Sequence, residues 1–222
     1  MKTVAFVPVK MNNERLPGKN TRRFSDGNPL ITVFLKSLEK VQGLDDIFVF
    51  CSNPDIKGYC TKSVKFLQRP VFLDGKDATP QDIIGEFIKS VPADIYMAAH
   101  CTSPFVSVKH LAECVEAVKS GVYDSSFTAE KVQKLLWKGD GTPLNFQADN
   151  IPRTQDLEPL YSEVSAAYVF KREVFERHRR RIGLSPHITV VSGIECIDID
   201  WKEDFDVADA VYMNLIRSSR NE

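Results

Sequence analysis

Three cations stand on the short exit from the first apolar run of the chain: Lys10, Arg15 and Lys19, in VPVKMNNERLPGKN from Val7 to Asn20. A polyphosphate is the ligand such a loop could hold. Its roughly four negative charges in a partly dry pocket need several cations and backbone N–H donors, because one ammonium does not offset them. Asn12, Asn13 and Gly18 suit the tight turns that expose such donors. A solvated basic loop would account for any one of these cations. Three on one strand exit favour a phosphate site.

A second group lies near the other end of the chain, Asp198 and Asp200 in CIDID. Residues two apart on a strand share a face, so two carboxylates are expected side by side. Adjacent anions repel unless a cation lies between them, and Mg2+ takes one or two carboxylates plus phosphate oxygens. Asp200 followed by Glu203 is also spaced as a capping box for a last helix, which gives no reason for Asp198. Thr79 is likewise either the N-cap of a helix opening at Pro80 or a contact to a ligand at that helix's N-terminus. Arg69, before Pro70, reads as a surface residue or as one reaching a base or phosphate. Arg153, Gln155 and Glu163 fall in an aperiodic polar stretch where exposed polar residues are expected. The run RHRRR, Arg177 to Arg181, reads as the solvated C-terminal end of a helix. His100, Cys101, His110 and Cys114 match no structural zinc spacing.

What must position these groups is an alternation of short apolar runs with helical ones. VAFVPV, DIFVFCS, a short VKFLQRP and DIYMAA read as strands. PLITVFLKSLEKVQG reads as a helix with Asn28 as cap, Pro29 first and Gly43 past its end. TPQDIIGEFIKSV and SVKHLAECVEAVKSG read as two more. Continuous apolar strands suit a sheet buried on both faces. The rhythm is that of an α/β chain with a mostly parallel, doubly wound sheet. From about Asp124 it changes. SSFTAEKVQKLLWKGDGTPLNF reads as an antiparallel excursion around a Gly-Asp-Gly turn, followed by the polar QADNIPRTQDLEPLYSEV. The parallel pattern is expected to return with SAAYVF, the helix KREVFERHRRRIG, the strand CIDID and an amphipathic helix from about Glu203. The expectation is one domain over residues 1–222 with a small antiparallel insertion at about 124–165. Ligands of open α/β sheets bind beyond the carboxyl ends of the strands. Four polar segments leave strands there: Lys10–Asn20, Arg69–Gln81, His100–Ser103 and Asp198–Asp200.

Composition narrows the classes. Lys plus Arg total 29 against 30 for Asp plus Glu, without the basic surplus of a general nucleic-acid binder. No run is long and apolar enough to span a bilayer, and the N-terminus lacks a signal-peptide layout. Five cysteines without a C-x-x-C pair read as reduced thiols of a cytoplasmic protein.

These motifs resemble those of a family. VPVKMNNERLPGKN, RP at Arg69 and Pro70, HCTSPF, NIPRTQDLEPLYSEVSAAYVF and CIDID are similar to segments of the cytidylyltransferases that activate acidic sugars, the synthetases of CMP-sialic acids and of CMP-3-deoxyoctulosonate. The resemblance implies transfer of CMP from CTP to a 2-keto sugar acid, a nonulosonate above all. It places Lys10, Asn12, Asn13, Arg15, Lys19 and Asn20 at the phosphates, and Arg69, Asp77, Thr79 and Gln81 around the cytosine. His100, Thr102, Ser103, Arg153, Gln155, Glu163 and Ser165 would face the acid, and Asp198 and Asp200 would hold Mg2+. A homodimer formed through the central excursion is also implied. Three positions depart from the family pattern. Lys10 stands for an arginine, keeping the charge and losing the bidentate fork. His100 stands for the sugar-site glutamine, and Ser165 for the asparagine of Asn-Gly-Ala. Alternatives are another anionic acceptor, such as octulosonate, a phosphonate or an acyl phosphate, and a non-catalytic nucleotide-binding homologue. Lys10 favours the last, and the two aspartates speak against it.

Overall fold

The computed structural model describes residues 1–216. Its centre is β1 (Thr3–Val9), which has a strand on each edge and whose apolar residues are buried on both faces by the helices that cover the sheet. It pairs in parallel with β2 (Asp46–Cys51) and with β4 (Ile95–Ala99), while β3 (Lys65–Gln68) pairs in parallel with the outer edge of β2. On the other side β6 (Leu160–Lys171) runs antiparallel to β4 and to β5 (Ser125–Val132). β5 pairs in parallel with β7 (Pro186–Val191). The order across the seven-stranded sheet is β3-β2-β1-β4-β6-β5-β7, mostly parallel as expected.

Strand alternation sorts the core. Ala5, Val7 and Val9 point to the face covered by α1 (Leu30–Leu38) and α3 (Val108–Lys119). Val4 and Phe6 point to the face covered by α2 (Pro80–Ser90) and α4 (Arg172–His178), where Phe6 stacks on Phe87. The sheet is doubly wound. A third apolar cluster joins α5 (Lys202–Val211) to the functional loops. Phe24 stacks on Phe205 and Tyr212, with Leu16 of the cationic loop and Ile199 in the same cluster. Burying each such side chain contributes about 1.5–3 kcal/mol, and here that burial also anchors the segments carrying the charges.

Several elements differ from the sequence reading. α1 ends at Leu38, where i→i+3 bonds tighten the chain and turn Val41 back into the core. Its N-cap is Pro29, because the Asn28 side chain bonds Asp26 instead. SSFTAEKV is no excursion: as β5 it lies inside the main sheet. SAAYVF is antiparallel, and its strand begins at Leu160, an outer half too exposed to show an apolar pattern. PHITVV is a seventh strand the sequence reading missed. CIDID is not a strand; after a 3-10 turn at Gly193–Cys196, Ile197 to Asp200 runs extended without a ladder. α4 stops at His178 because Arg179 adopts φ 50°, left-handed backbone. Residues 133–159 stand off the sheet around a Lys138–Gly141 turn, with Trp137 packed edge-on to Phe146. Among the described residues no helix is long and apolar enough to cross a membrane.

Candidate active site

The cationic loop leaves the carboxyl end of β1 and closes in a 3-10 turn at Lys19–Thr21, opened by Gly18 at φ 68°, a conformation costly for any residue with a Cβ. Asn20 fixes the loop from inside: its Nδ2 donates to the Lys10 carbonyl at 2.9 Å, and Cys101 Sγ donates to its Oδ1 at 3.4 Å. Burial pushes the Cys101 thiol up to about 12, so it is no nucleophile at neutral pH.

The loop forms one wall of an open cleft of about 450 Å³, lined by Lys10, Asn12, Asn13, Arg15, Lys19, Arg69 and Asp200 among others. Lys10, Asn12 and Asn13 also line an adjoining cavity of about 400 Å³. Arg15 Nη1 donates to Asp200 Oδ2 at 2.6 Å and Lys19 Nζ to Asp200 Oδ1 at 2.9 Å. Burial pushes the Asp200 carboxyl up, but the Lys19 ammonium and Arg15 guanidinium more than offset this and hold it below its ordinary value. Lys10 makes no ion pair among the described residues. Of the five cations that line the cleft, Lys10 is uncommitted, Arg15 and Lys19 share the Asp200 carboxylate, Arg69 pairs with Asp74 and Lys76 with Glu14.

Arg69 is only 2 % exposed, with its guanidinium paired to Asp74 through Nη2. Its Nε and the Asn13 Oδ1 are buried without a hydrogen-bond partner. A buried orphan costs about 1–3 kcal/mol, and one donor and one acceptor on residues lining a single cleft suit a polar ligand. The surface reading of Arg69 is thereby corrected.

Thr79 caps α2: its hydroxyl accepts from Asp82 N at 3.2 Å, and Asp82 Oδ2 accepts from Thr79 N at 3.0 Å. Thr79, Asp77 and Gln81 do not line the cleft, whereas the neighbouring Lys76 and Ala78 do. The capping reading of Asp200 is overturned. Asp204 takes the backbone N–H groups of Asp200 and Trp201, at 2.9 and 2.8 Å, and leaves the Asp200 side chain to the cations.

Asp198 and Asp200 flank Ile199, which is fully buried and donates its N–H to the Thr102 carbonyl at 2.8 Å. This bond ties CIDID to HCTSPF. Ser103 Oγ donates to Asp198 Oδ1 at 3.3 Å. No group of three or more His, Cys, Asp or Glu that could hold a metal is gathered among the described residues. Two carboxylates on one extended segment fit Mg2+ only as the protein's share of a shell completed by phosphate oxygens and water.

His100 N–H donates to the Ala166 carbonyl at 3.0 Å, so the antiparallel β4–β6 pairing sets His100 beside the strand carrying Ser165. Burial first, then the Arg181 and Lys19 cations, push His100 down to about 4, leaving the ring neutral at pH 7. Its ring lies edge-on to Tyr168, whose hydroxyl donates to Glu163 Oε2 at 2.6 Å. Arg153 and Gln155 belong to an exposed turn, and the Arg153 guanidinium pairs with Asp156 at 2.7 Å. They are not brought to the cleft. Sequence reasoning missed Arg181, assigned to a solvated helix end: its guanidinium lies 3.4 Å from the Tyr168 ring centre, and its side chain is 25 % exposed.

The mostly parallel α/β sheet, with a cationic loop at the carboxyl end of β1, is an architecture shared with solved structures. A structure described as CMP:2-keto-3-deoxy-manno-octonic acid synthetase complexed with CTP aligns over 96% of this chain and 99% of its own, at 16% identity and TM-score 0.72. The 4-diphosphocytidyl-2C-methyl-D-erythritol synthase of Anaerococcus prevotii aligns over 96% of both chains at 14% identity and TM-score 0.65. At these identities the likeness is one of fold.

Residues 4–208 match the family model described as Cytidylyltransferase, and the chain belongs to that family. Curated relatives include the N-acylneuraminate cytidylyltransferase of Streptococcus agalactiae, 23% identical over 92% of this chain and 52% of the relative. That of Danio rerio, N-acylneuraminate cytidylyltransferase A, is 25% identical over 89% and 48%. The 3-deoxy-manno-octulosonate cytidylyltransferase 2 of Hydrogenovibrio crunogenus is 24% identical over 70% and 68%. The chain spans about half the length of the N-acylneuraminate relatives.

Proposed function

We propose that the protein transfers CMP from CTP to a 2-keto sugar acid, a nonulosonate such as a sialic acid, releasing pyrophosphate. The observation that carries this reading is the gathering of Lys10, Arg15, Lys19 and Asp200 around one cleft at the carboxyl end of β1, with the buried Arg69 in its wall. A cleft so charged suits a triphosphate, and family membership supports the cytidine.

In this reading the sugar's anomeric hydroxyl attacks the α-phosphorus of CTP and the bond to pyrophosphate breaks. Catalysis of this kind is mainly positioning and charge neutralisation. Lys10 meets the phosphates directly. Arg15 and Lys19 exchange Asp200 for phosphate oxygens and stabilise charge building on the leaving group. Asp198 and Asp200 are the residues that would hold Mg2+, which would supply positive charge to offset that of the phosphates. The neutral His100 offers a hydrogen bond to the acceptor rather than a charge. A homodimer joined through residues 133–159, with Trp137 and Ile151 exposed there, belongs to the same proposal.

The test is pyrophosphate release with CTP and Mg2+ over a panel holding N-acetylneuraminate, 3-deoxy-manno-octulosonate, a phosphonate and an acyl phosphate. Turnover confined to the sugar acids supports the reading. Turnover only with a phosphonate or acyl phosphate replaces the acceptor, and CTP binding without turnover on any acceptor replaces the enzyme with a nucleotide-binding protein.

A further inference from the structure

Behind the nucleotide cleft lies a recess of about 80 Å³ lined by Phe6, Pro8, Pro80, Ile83, Ile84 and Ala98, with two polar residues, His100 and Arg181. Ile83 is common to recess and cleft, so the two adjoin. Arg181 is held there by its environment. Its guanidinium stacks on Tyr168, and its Nη2 lies 3.5 Å from Glu163 Oε2, an oxygen that already accepts the Tyr168 hydroxyl at 2.6 Å. One long contact leaves most of a guanidinium's five N–H donors uncommitted. The backbone just beyond is also fixed. Asp124 Oδ2 accepts from Leu184 N at 2.7 Å and Ser185 N at 3.1 Å, and Ser125 Oγ accepts from Gly183 N at 2.8 Å.

Chemistry says what belongs there. In a 2-keto sugar acid the carboxylate and the reacting hydroxyl sit on the same carbon. Whatever holds the carboxylate must therefore stand within a few bonds of the α-phosphate. We infer that Arg181, with His100 beside it, takes the acceptor's carboxylate in this recess. The assignment rests on the proposed cytidylyl transfer and gives its acceptor side an anion-binding residue. His100 lines the recess with Arg181, and the Lys19 and Arg181 cations both act electrostatically on its ring. Arg153 meets neither requirement: its side chain is 74 % exposed and pairs locally with Asp156.

The experiment compares wild type, Arg181→Gln, Arg181→Lys and Arg153→Ala by pyrophosphate release, using N-acetylneuraminate and its methyl ester with saturating CTP. Arg181→Gln should raise the KM for the acid by about tenfold to a hundredfold, the effect of losing one charged hydrogen bond. Arg181→Lys should recover part of this, and the CTP dissociation constant by calorimetry should stay within about twofold. In wild type the ester should react far worse than the acid, and in Arg181→Gln the two should react nearly alike, a readout that general loosening of the fold would not produce. Wild-type turnover with an equal ester penalty in both proteins, or an acid KM moved only by Arg153→Ala, overturns the Arg181 assignment and leaves cytidylyl transfer standing. If wild type neither turns over nor binds any acid, both fall.

Discussion

On the proposed function Asp200 would have two opposite effects on a bound nucleotide, and Asp200→Asn separates them. The carboxylate accepts Arg15 at 2.6 Å and Lys19 at 2.9 Å, so it holds two cations in place while adding a negative charge to an anion site. The amide keeps the shape and removes the charge. Without metal, one fewer negative charge about 7 Å from a phosphate, at an effective dielectric of about 40, favours binding by about 1 kcal/mol. CTP affinity in EDTA should therefore rise about fivefold, the equivalent of that energy. On the metal assignment proposed above the sign should reverse with Mg2+, because a ligand would be lost, and turnover should fall by at least about a hundredfold. Stability should hardly change. Asp200 is too exposed for its pairs to contribute more than about 1 kcal/mol, and the melting temperature should drop by no more than about 4 °C. Calorimetry of CTP with EDTA and with MgCl2, a melting curve and a pyrophosphate assay read all three quantities. A variant that binds CTP more weakly in both conditions and melts more than about 10 °C lower would show Asp200 to be a structural peg for the loop. The metal assignment and the exchange of partners would then both be wrong.

Lys10→Ala and Arg15→Ala should each lower turnover by about a hundredfold, as loss of one charge-stabilising donor does, with the melting temperature nearly unmoved; a large loss of stability with normal kinetics returns the loop to a merely solvated role. The pH dependence of folding should carry a His100 signature. Its folded value of about 4 lies below the ordinary 6.5, so its contribution is full above pH 6.5 and is lost as pH falls towards 4, by at most about 3 kcal/mol. Denaturant unfolding at pH 7.5 and 4.5 should show a smaller acid loss in His100→Gln than in wild type, and an equal loss would place the ring in solvent. Gly183→Ala would set a Cβ on the Asp124 carboxylate, so it should cost about 1–3 kcal/mol by urea unfolding and raise the acceptor KM more than the CTP KM; the reverse ratio would uncouple this turn from the acceptor side.

Most of the strands legible in the sequence were those buried on both faces, and the half-exposed edge strand β3 was legible too, in VKFLQRP. β1, β2 and β4 read as unbroken apolar runs because helices cover them above and below. Direction was less legible. A parallel rhythm suggested itself for SAAYVF because a helix follows it, but strand direction is set by which neighbour the strand meets, and β6 meets β4 and β5 antiparallel. Its first half, with Leu160 and Tyr161 exposed, carried no periodic signal and looked like loop. The helix end at Arg179 was also invisible, since left-handed backbone at an arginine has no sequence marker comparable to glycine.

The same reasons divide the site. Lys10, Arg15 and Lys19 were readable because they cluster within one loop whose anchor, the end of β1, was itself readable. The nearness of Asp200 to them is a long-range contact across 181 residues between Lys19 and Asp200, set by the packing of Leu16 and Ile199 into one apolar cluster and by the Ile199 N–H bond to the Thr102 carbonyl. Arg181 lay further out of reach. In RHRRR its neighbours Arg177 and Arg179 are indeed exposed ion-pair residues, and charge pattern alone gives no reason to separate the fifth residue from them. What separates it is backbone geometry. The left-handed turn at Arg179 breaks the helical face, and the Asp124 bonds to Leu184 and Ser185 pin the chain just beyond, so that Arg181 turns inward onto Tyr168. The resemblance drew attention to Arg153 instead, by its place in a similar segment. A segment can align in sequence while its side chain pairs with its own turn, as Arg153 does with Asp156. For a carboxylate bonded to the reacting carbon, nearness to the phosphates decides, which is the ground on which the inference above assigns it to Arg181, beside His100 in a recess that adjoins the cleft.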